Sequence, residues 1–145
     1  MSHAFISYVR EDQARVSDLA NELTNRGVEV WLDRNEIYPG TPWQYAIRKA
    51  IENGNYFIAC FSKAYATRKK TSMNEELNIA IDEIRKRHYD AVFFIPVLID
   101  KCDMPGWAVG AGRTLRDFQW VNLYEDWNKG IERIASVVLE EDKKK

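Results

Sequence analysis

Residues 56–61 and 91–99 are two nearly unbroken apolar runs, and they limit the possible folds more than any other part of the sequence. Each is too short for a buried helix, and neither has the polar alternation of a strand with one wet face. Such runs suit strands covered on both sides, as in a parallel sheet. Parallel neighbours need a crossover, and the crossover is usually a helix. The sequence between the runs has helical spacing: Met73, Leu77, Ala80, Ile81 and Ile84 fall on one stripe at about 100° per residue.

The same alternation extends along the chain. Residues 3–8 predict a first strand, and Val16, Leu19, Ala20 and Leu23 predict a helix that Gly27 stops. Residues 28–32 predict a second strand. Residues 33–42 are turn-rich, with Pro39-Gly40 forcing a reversal, and a helix follows over 43–53 with Ala46, Ile47, Ala50 and Ile51 inward. Residues 118–123 and 127–139 add a last strand and helix. Residues 102–116, with three glycines and Pro105, stand in for a regular fourth helix, and the charged end at 140–145 is expected to fray. The expected architecture is α/β: a five-stranded parallel sheet with helices on both faces and right-handed crossovers.

A chain of 145 residues is the size of one domain, so residues 1–145 are read as one. A formal net charge of -1 with both signs interspersed gives no footprint for nucleic acid or an anionic membrane. No apolar run reaches the ~18 residues of a spanning helix and no secretory leader is evident, which suggests a cytoplasmic protein. Cys60 and Cys102, with only His3 and His88 for company, do not form a zinc spacing. Cys60, inside an apolar run, reads as a small core residue.

The chemistry of interest lies in Thr71-Ser72-Met73-Asn74-Glu75-Glu76-Leu77, where a basic run gives way to the amphipathic helix. Thr71 or Ser72 can cap it. On the helical wheel Glu75 lies opposite the apolar stripe with Asn78 and Asp82, whereas Glu76 sits roughly 85° from the stripe's centre, at the edge of the buried face. Acids early in a helix also favour its dipole and need no other reason to be there. In an open parallel sheet the ligand crevice forms at the carboxyl ends of the strands, near the point where strand order reverses. That rule gathers residues 8–12, 33–43, 62–72 and the start of the Glu76 helix on one rim.

These residues resemble the Toll/interleukin-1 receptor (TIR) domain family, and its bacterial members in particular. Ala4-Phe5-Ile6-Ser7-Tyr8 is similar to the family's first box. Residues 31–43, with Pro39-Gly40, resemble its second strand and BB loop, continued by Ile47, Ala50 and Ile51. Residues 57–62 with Tyr65, then 72–77, resemble the third strand and the helix bearing the family's glutamate. The resemblance implies a flavodoxin-like sheet and one of two functions: cleavage of the nicotinamide–ribose bond of NAD, or scaffolding through TIR–TIR contacts. It implies Glu76 as the catalytic carboxylate, with Tyr8, Arg10, Asp33, Trp43 and Ser72 as substrate-binding positions. It also implies an interaction loop of Arg34, Ile37, Tyr38, Pro39 and Gly40. NAD enters as substrate, no cofactor or metal is required, and the expected partners are other TIR domains in a homo-oligomer or filament with an immune-type role. Many catalytic relatives carry an aromatic four residues before the glutamate, where this chain has Ser72; Tyr65, Trp43 or an aromatic from a neighbouring subunit would have to supply that face. For Arg10 a solvated surface role, and for Trp43 packing on its own helix, are the plain alternatives.

A phosphate-accepting receiver domain would need an Asp at the end of the third strand, and residues 57–62 contain none. Gly110 and Gly112 do not form a phosphate-cradling loop, since they do not both follow a strand and open a helix.

Overall fold

The computed structural model describes the backbone of residues 3–32, 37–68, 71–88 and 91–144, with side chains through residue 140. Strand β1 (His3–Ser7) leads through a single 3-10 turn, Arg10–Asp12, into α1 (Gln13–Asn25). Then come β2 (Glu29–Trp31), α2 (Trp43–Glu52), β3 (Tyr56–Phe61), a short α3 (Lys63–Thr67), α4 (Ser72–Arg85) and β4 (Phe94–Leu98). A two-stranded ribbon, β5 (Ala108–Gly110) and β6 (Arg113–Thr114), precedes β7 (Val121–Asn122) and α5 (Trp127–Lys144). The main sheet has five strands in the order β2-β1-β3-β4-β7, every pair parallel. This is the α/β architecture the apolar runs predict.

Strand alternation divides the interior into two layers. Ala4 and Ile6 of β1, Ile58 and Cys60 of β3, and Val97 of β4 face the helix pair α1 and α5, where Val16, Leu19, Leu23, Ile131 and Ile134 complete one core. Phe5, Phe57, Ala59, Phe61 and Leu98 face the other way, onto Ile47 and Ile51 of α2 and Met73, Leu77, Ala80 and Ile84 of α4. Cys60 is fully buried, and burial pushes its thiol up, as befits a core residue. No helix among the described residues is long and apolar enough to cross a membrane.

Three expectations need adjustment. Residues 102–116 do lack a regular helix, but they form the antiparallel ribbon and a 3-10 turn at Leu115–Asp117, closed by a capping box on Thr114. This segment serves the core, since Val109 and Leu115 are buried in the α4 layer. The last strand is much shorter than 118–123, because Phe118 turns into that same layer against Phe94 and only Val121–Asn122 pair with β4. The charged end expected to fray instead continues α5 to Lys144; its Glu and Lys residues are good helix formers, and Leu139 still packs on the core.

Two glycines have specific duties. Gly40 takes a φ of 88° behind Pro39, and Thr41 N–H donates to Tyr38 C=O at 3.1 Å, the turn that Pro-Gly predicts. Gly130, inside α5, lies against β7 and the loop after it: a Cβ there would stand 2.5 Å from Leu123 Cδ2 and 3.1 Å from Val121 Cγ1. Alanine would improve helix propensity by about 1 kcal/mol, but overpacking a filled core costs about 1–3 kcal/mol. Both neighbours are buried and have little room to yield. Gly130→Ala is therefore expected to destabilise the fold by up to about 2 kcal/mol; an equal or higher urea midpoint would show that Leu123 can move aside.

Candidate functional site

Strand order reverses between β1 and β3, because β1 pairs with β2 on one side and with β3 on the other. Their carboxyl ends form the crevice of an open parallel sheet. Period-two alternation points Ser7, the last residue of β1, toward α4, two residues after Phe5 on the same face. Ser7 is wholly buried and pairs in register with Ala59.

Helix α4 brings its carboxylate to the same place. Thr71 caps it, its Oγ1 accepting from Met73 N–H at 3.3 Å, so the capping duty falls to Thr71 and leaves Ser72 exposed on the first turn. Met73 and Leu77 anchor the helix in the core, which fixes its rotation. Glu75 then faces solvent and Glu76 is 8% exposed, the difference the wheel predicts. Ser7 Oγ donates to Glu76 Oε1 at 2.7 Å.

A second buried acid holds the neighbouring loops. Asp12, 2% exposed, accepts from Ser62 Oγ and from Arg15 at 2.8 Å. Arg15 also donates to Asp100 at 2.7 Å, and Asp100 accepts from Lys63 N–H at 2.9 Å. The Arg15 guanidinium holds the Asp100 carboxyl below its ordinary range, with smaller help from Lys63. Arg68 meets Glu11 at 2.7 Å across the same rim. The loops after β1, β3 and β4 are thus tied to one another. Asp12, Arg15, Ser62 and Asp100 were not singled out from the sequence; for Ser62 and Asp100 the available signal was a polar residue directly following an apolar run.

The other expected site residues are less closely gathered. Arg10 is exposed on the 3-10 turn, and Trp43 is half-buried at the first turn of α2, against the α4 core. Tyr8 packs against the opposite core, the one under α1 and α5, and so is not brought to Glu76 by the strand's alternation. Ile37 is half-buried, Pro39 and Gly40 are exposed, and Tyr38 is 86% exposed. Asp33 and Arg34 lie outside the described residues.

Tyr65 does not offer an open aromatic face. Its ring is buried edge-on against Phe61, and its hydroxyl donates to Asn74 Oδ1 at 2.8 Å, joining α3 to the first turn of α4. Burial pushes the phenol up from 10.0 to about 12. A raised folded-state value means that the neutral phenol stabilises the fold fully below pH 10.0, and that this contribution is lost as the pH rises toward about 12. Tyr65→Phe is expected to cost about 1 kcal/mol at neutral pH through the missing hydrogen bond and to flatten the alkaline loss of stability. Denaturant titrations at neutral and alkaline pH check this; an unchanged alkaline slope in Tyr65→Phe would assign that loss to other groups.

The fold is also found elsewhere: a crystal structure of a prokaryotic SEFIR domain superposes over 95% of this chain and 99% of its own, with a TM-score of 0.54 at 23% identity. Among sequence relatives, the 2' cyclic ADP-D-ribose synthase BtTIR of Bacteroides thetaiotaomicron is 39% identical over 75 residues, 51% of this chain. The probable 2' cyclic ADP-D-ribose synthase TcpO of Methanobrevibacter olleyae is 30% identical over 97 residues, 66% of this chain. The matched stretches span 25% and 27% of those two proteins' lengths. The TIR domain model matches residues 4–135, nearly the whole sheet with its helices, and the chain belongs to the TIR domain family.

Proposed function

We propose that this chain cleaves the bond between nicotinamide and ribose in NAD, with Glu76 as the catalytic carboxylate. The observation that carries the reading is a carboxylate 8% exposed at the strand-order switch, held by a buried hydroxyl. Two relatives with names of cyclic ADP-ribose synthases support the same chemistry.

One carboxylate suffices for this reaction. The nicotinamide of NAD is already cationic, so it departs neutral without a general acid. The ribose left behind takes on oxocarbenium character, which a fixed carboxylate beside the sugar stabilises electrostatically. Attack on the anomeric carbon by a hydroxyl of the same molecule closes a ring, and attack by water gives ADP-ribose. In either case the attacking oxygen loses a proton, which Glu76 is placed to accept. The relatives' names favour the cyclic product. Around this centre Arg10 meets the pyrophosphate, and Trp43 supplies the ring face that Ser72 cannot, with Asp33 completing the substrate contacts.

Glu76→Gln is expected to lower nicotinamide release from NAD by about a hundredfold or more, while Glu75→Gln leaves it near the parent level. Purified, self-assembled protein with chromatographic detection of nicotinamide checks this, and mass spectrometry separates the cyclic product from ADP-ribose. Equal activity in the two variants would remove Glu76 from the mechanism.

We also propose that self-association completes the site and that the loop carrying Tyr38 forms the contact. An aromatic 86% exposed beside half-buried Ile37 and the Pro39-Gly40 turn is a surface feature that the fold itself does not need. A non-catalytic TIR scaffold would use the same loop without turnover. Tyr38→Glu is expected to weaken self-association by about tenfold or more, measured by sedimentation velocity over a concentration series. An unchanged distribution of species would move the contact to another surface.

A further inference from the structure

We infer that Ser7 is a positioning residue for Glu76: its hydroxyl holds one carboxylate oxygen and so fixes the orientation of the whole carboxylate. The inference rests on Glu76 being the catalytic carboxylate. Ser7 is the only polar residue among 4–7, on a strand whose face toward α4 is otherwise core. A buried hydroxyl there costs free energy unless it is paired, and alanine would pack the same space at no such cost. Its pairing is specific, an O–H donated to Glu76 Oε1 at 2.7 Å across a sequence separation of 69 residues.

The donor is well placed to orient a flexible side chain. A glutamate carboxylate swings about several torsions, but β1 is held on both sides, through Ala4↔Val30 toward β2 and Ser7↔Ala59 toward β3. A hydrogen-bond donor on a strand so constrained moves little, and α4, anchored by Met73 and Leu77, holds the other end. Ser7 itself is 0% exposed and does not reach substrate. Removing its hydroxyl should therefore affect the rate of the chemical step more than NAD binding.

The test is steady-state kinetics of nicotinamide release by self-assembled protein carrying Ser7→Ala, Ser7→Cys, Glu76→Gln and the Ser7→Ala/Glu76→Gln pair. Ser7→Ala is expected to lower kcat on the order of ten- to a hundredfold with KM little changed. Ser7→Cys, which keeps a weak donor of similar size, should fall between Ser7→Ala and the parent. In the double variant, loss of Ser7 should add nothing to the loss from Glu76→Gln, because Ser7 acts only through that carboxylate. Parent-like kcat in Ser7→Ala, or a further loss in the double variant, would overturn the inference while leaving Glu76 catalytic. Full activity in Glu76→Gln would overturn both. If circular dichroism shows that Ser7→Ala does not fold, Ser7→Cys decides: a lower kcat at unchanged KM supports positioning, and an unchanged kcat overturns it.

Discussion

A carboxylate withdrawn almost entirely from water is costly unless something donates to it. The Ser7 hydroxyl pairs with Glu76, and much of the fold is needed to bring the two together. Residue 7 must face α4, which requires β1 to hold its register with β3 at Ser7↔Ala59. Residue 76 must face β1, which requires the rotation of α4 that Met73 and Leu77 fix by entering the core. A slip of one residue in β1 would send Ser7 into the apolar layer under α1 and α5 and bring a hydrophobic side chain to the carboxylate. The register of the central strands therefore determines which side chain meets the buried carboxylate.

The two buried acids of the rim have different surroundings. Asp12 is surrounded by donors, the Ser62 hydroxyl and the Arg15 guanidinium, and Arg15 carries the connection on to Asp100. An acid so enclosed by hydrogen-bond donors is a fastener, and here it binds the loops after three strands into one rim. Glu76 faces a neutral hydroxyl from Ser7 and lies beside the strand-order switch, where an open sheet admits a ligand.

The layers, and the burial of Glu76 beside an exposed Glu75, were legible because both follow from periodicity. Apolar runs at residues 56–61 and 91–99 announced strands covered on two faces, and a stripe through Met73, Leu77 and Ala80 set the phase that separates the adjacent acids. The long-range pairings were not legible. Nothing in the local pattern relates Ser62 to Asp12 or Arg15 to Asp100, since those contacts depend on where separate strands end in space. The ribbon at Ala108–Gly110 and Arg113–Thr114 was hidden for the same reason: its glycines signalled a loop, and only the space beneath α4 explains why Val109 and Leu115 fold into it.

The same spatial logic bears on the aromatic face missing at Ser72. Tyr65 and Trp43 are the two aromatics of this chain that the resemblance offers for that face, but the fold treats them differently. Tyr65 has both its ring and its hydroxyl committed, to Phe61 and to Asn74, and turning it outward would break a bond that ties α3 to α4. Trp43 also leans on the α4 core but remains half-buried at the first turn of α2, the helix beside α4. Of these two, Trp43 is the one whose ring stays partly exposed at the start of its helix. On the proposed NAD-cleaving reading, a serine at position 72 therefore shifts the place of a stacking ring from the start of α4 to the start of α2.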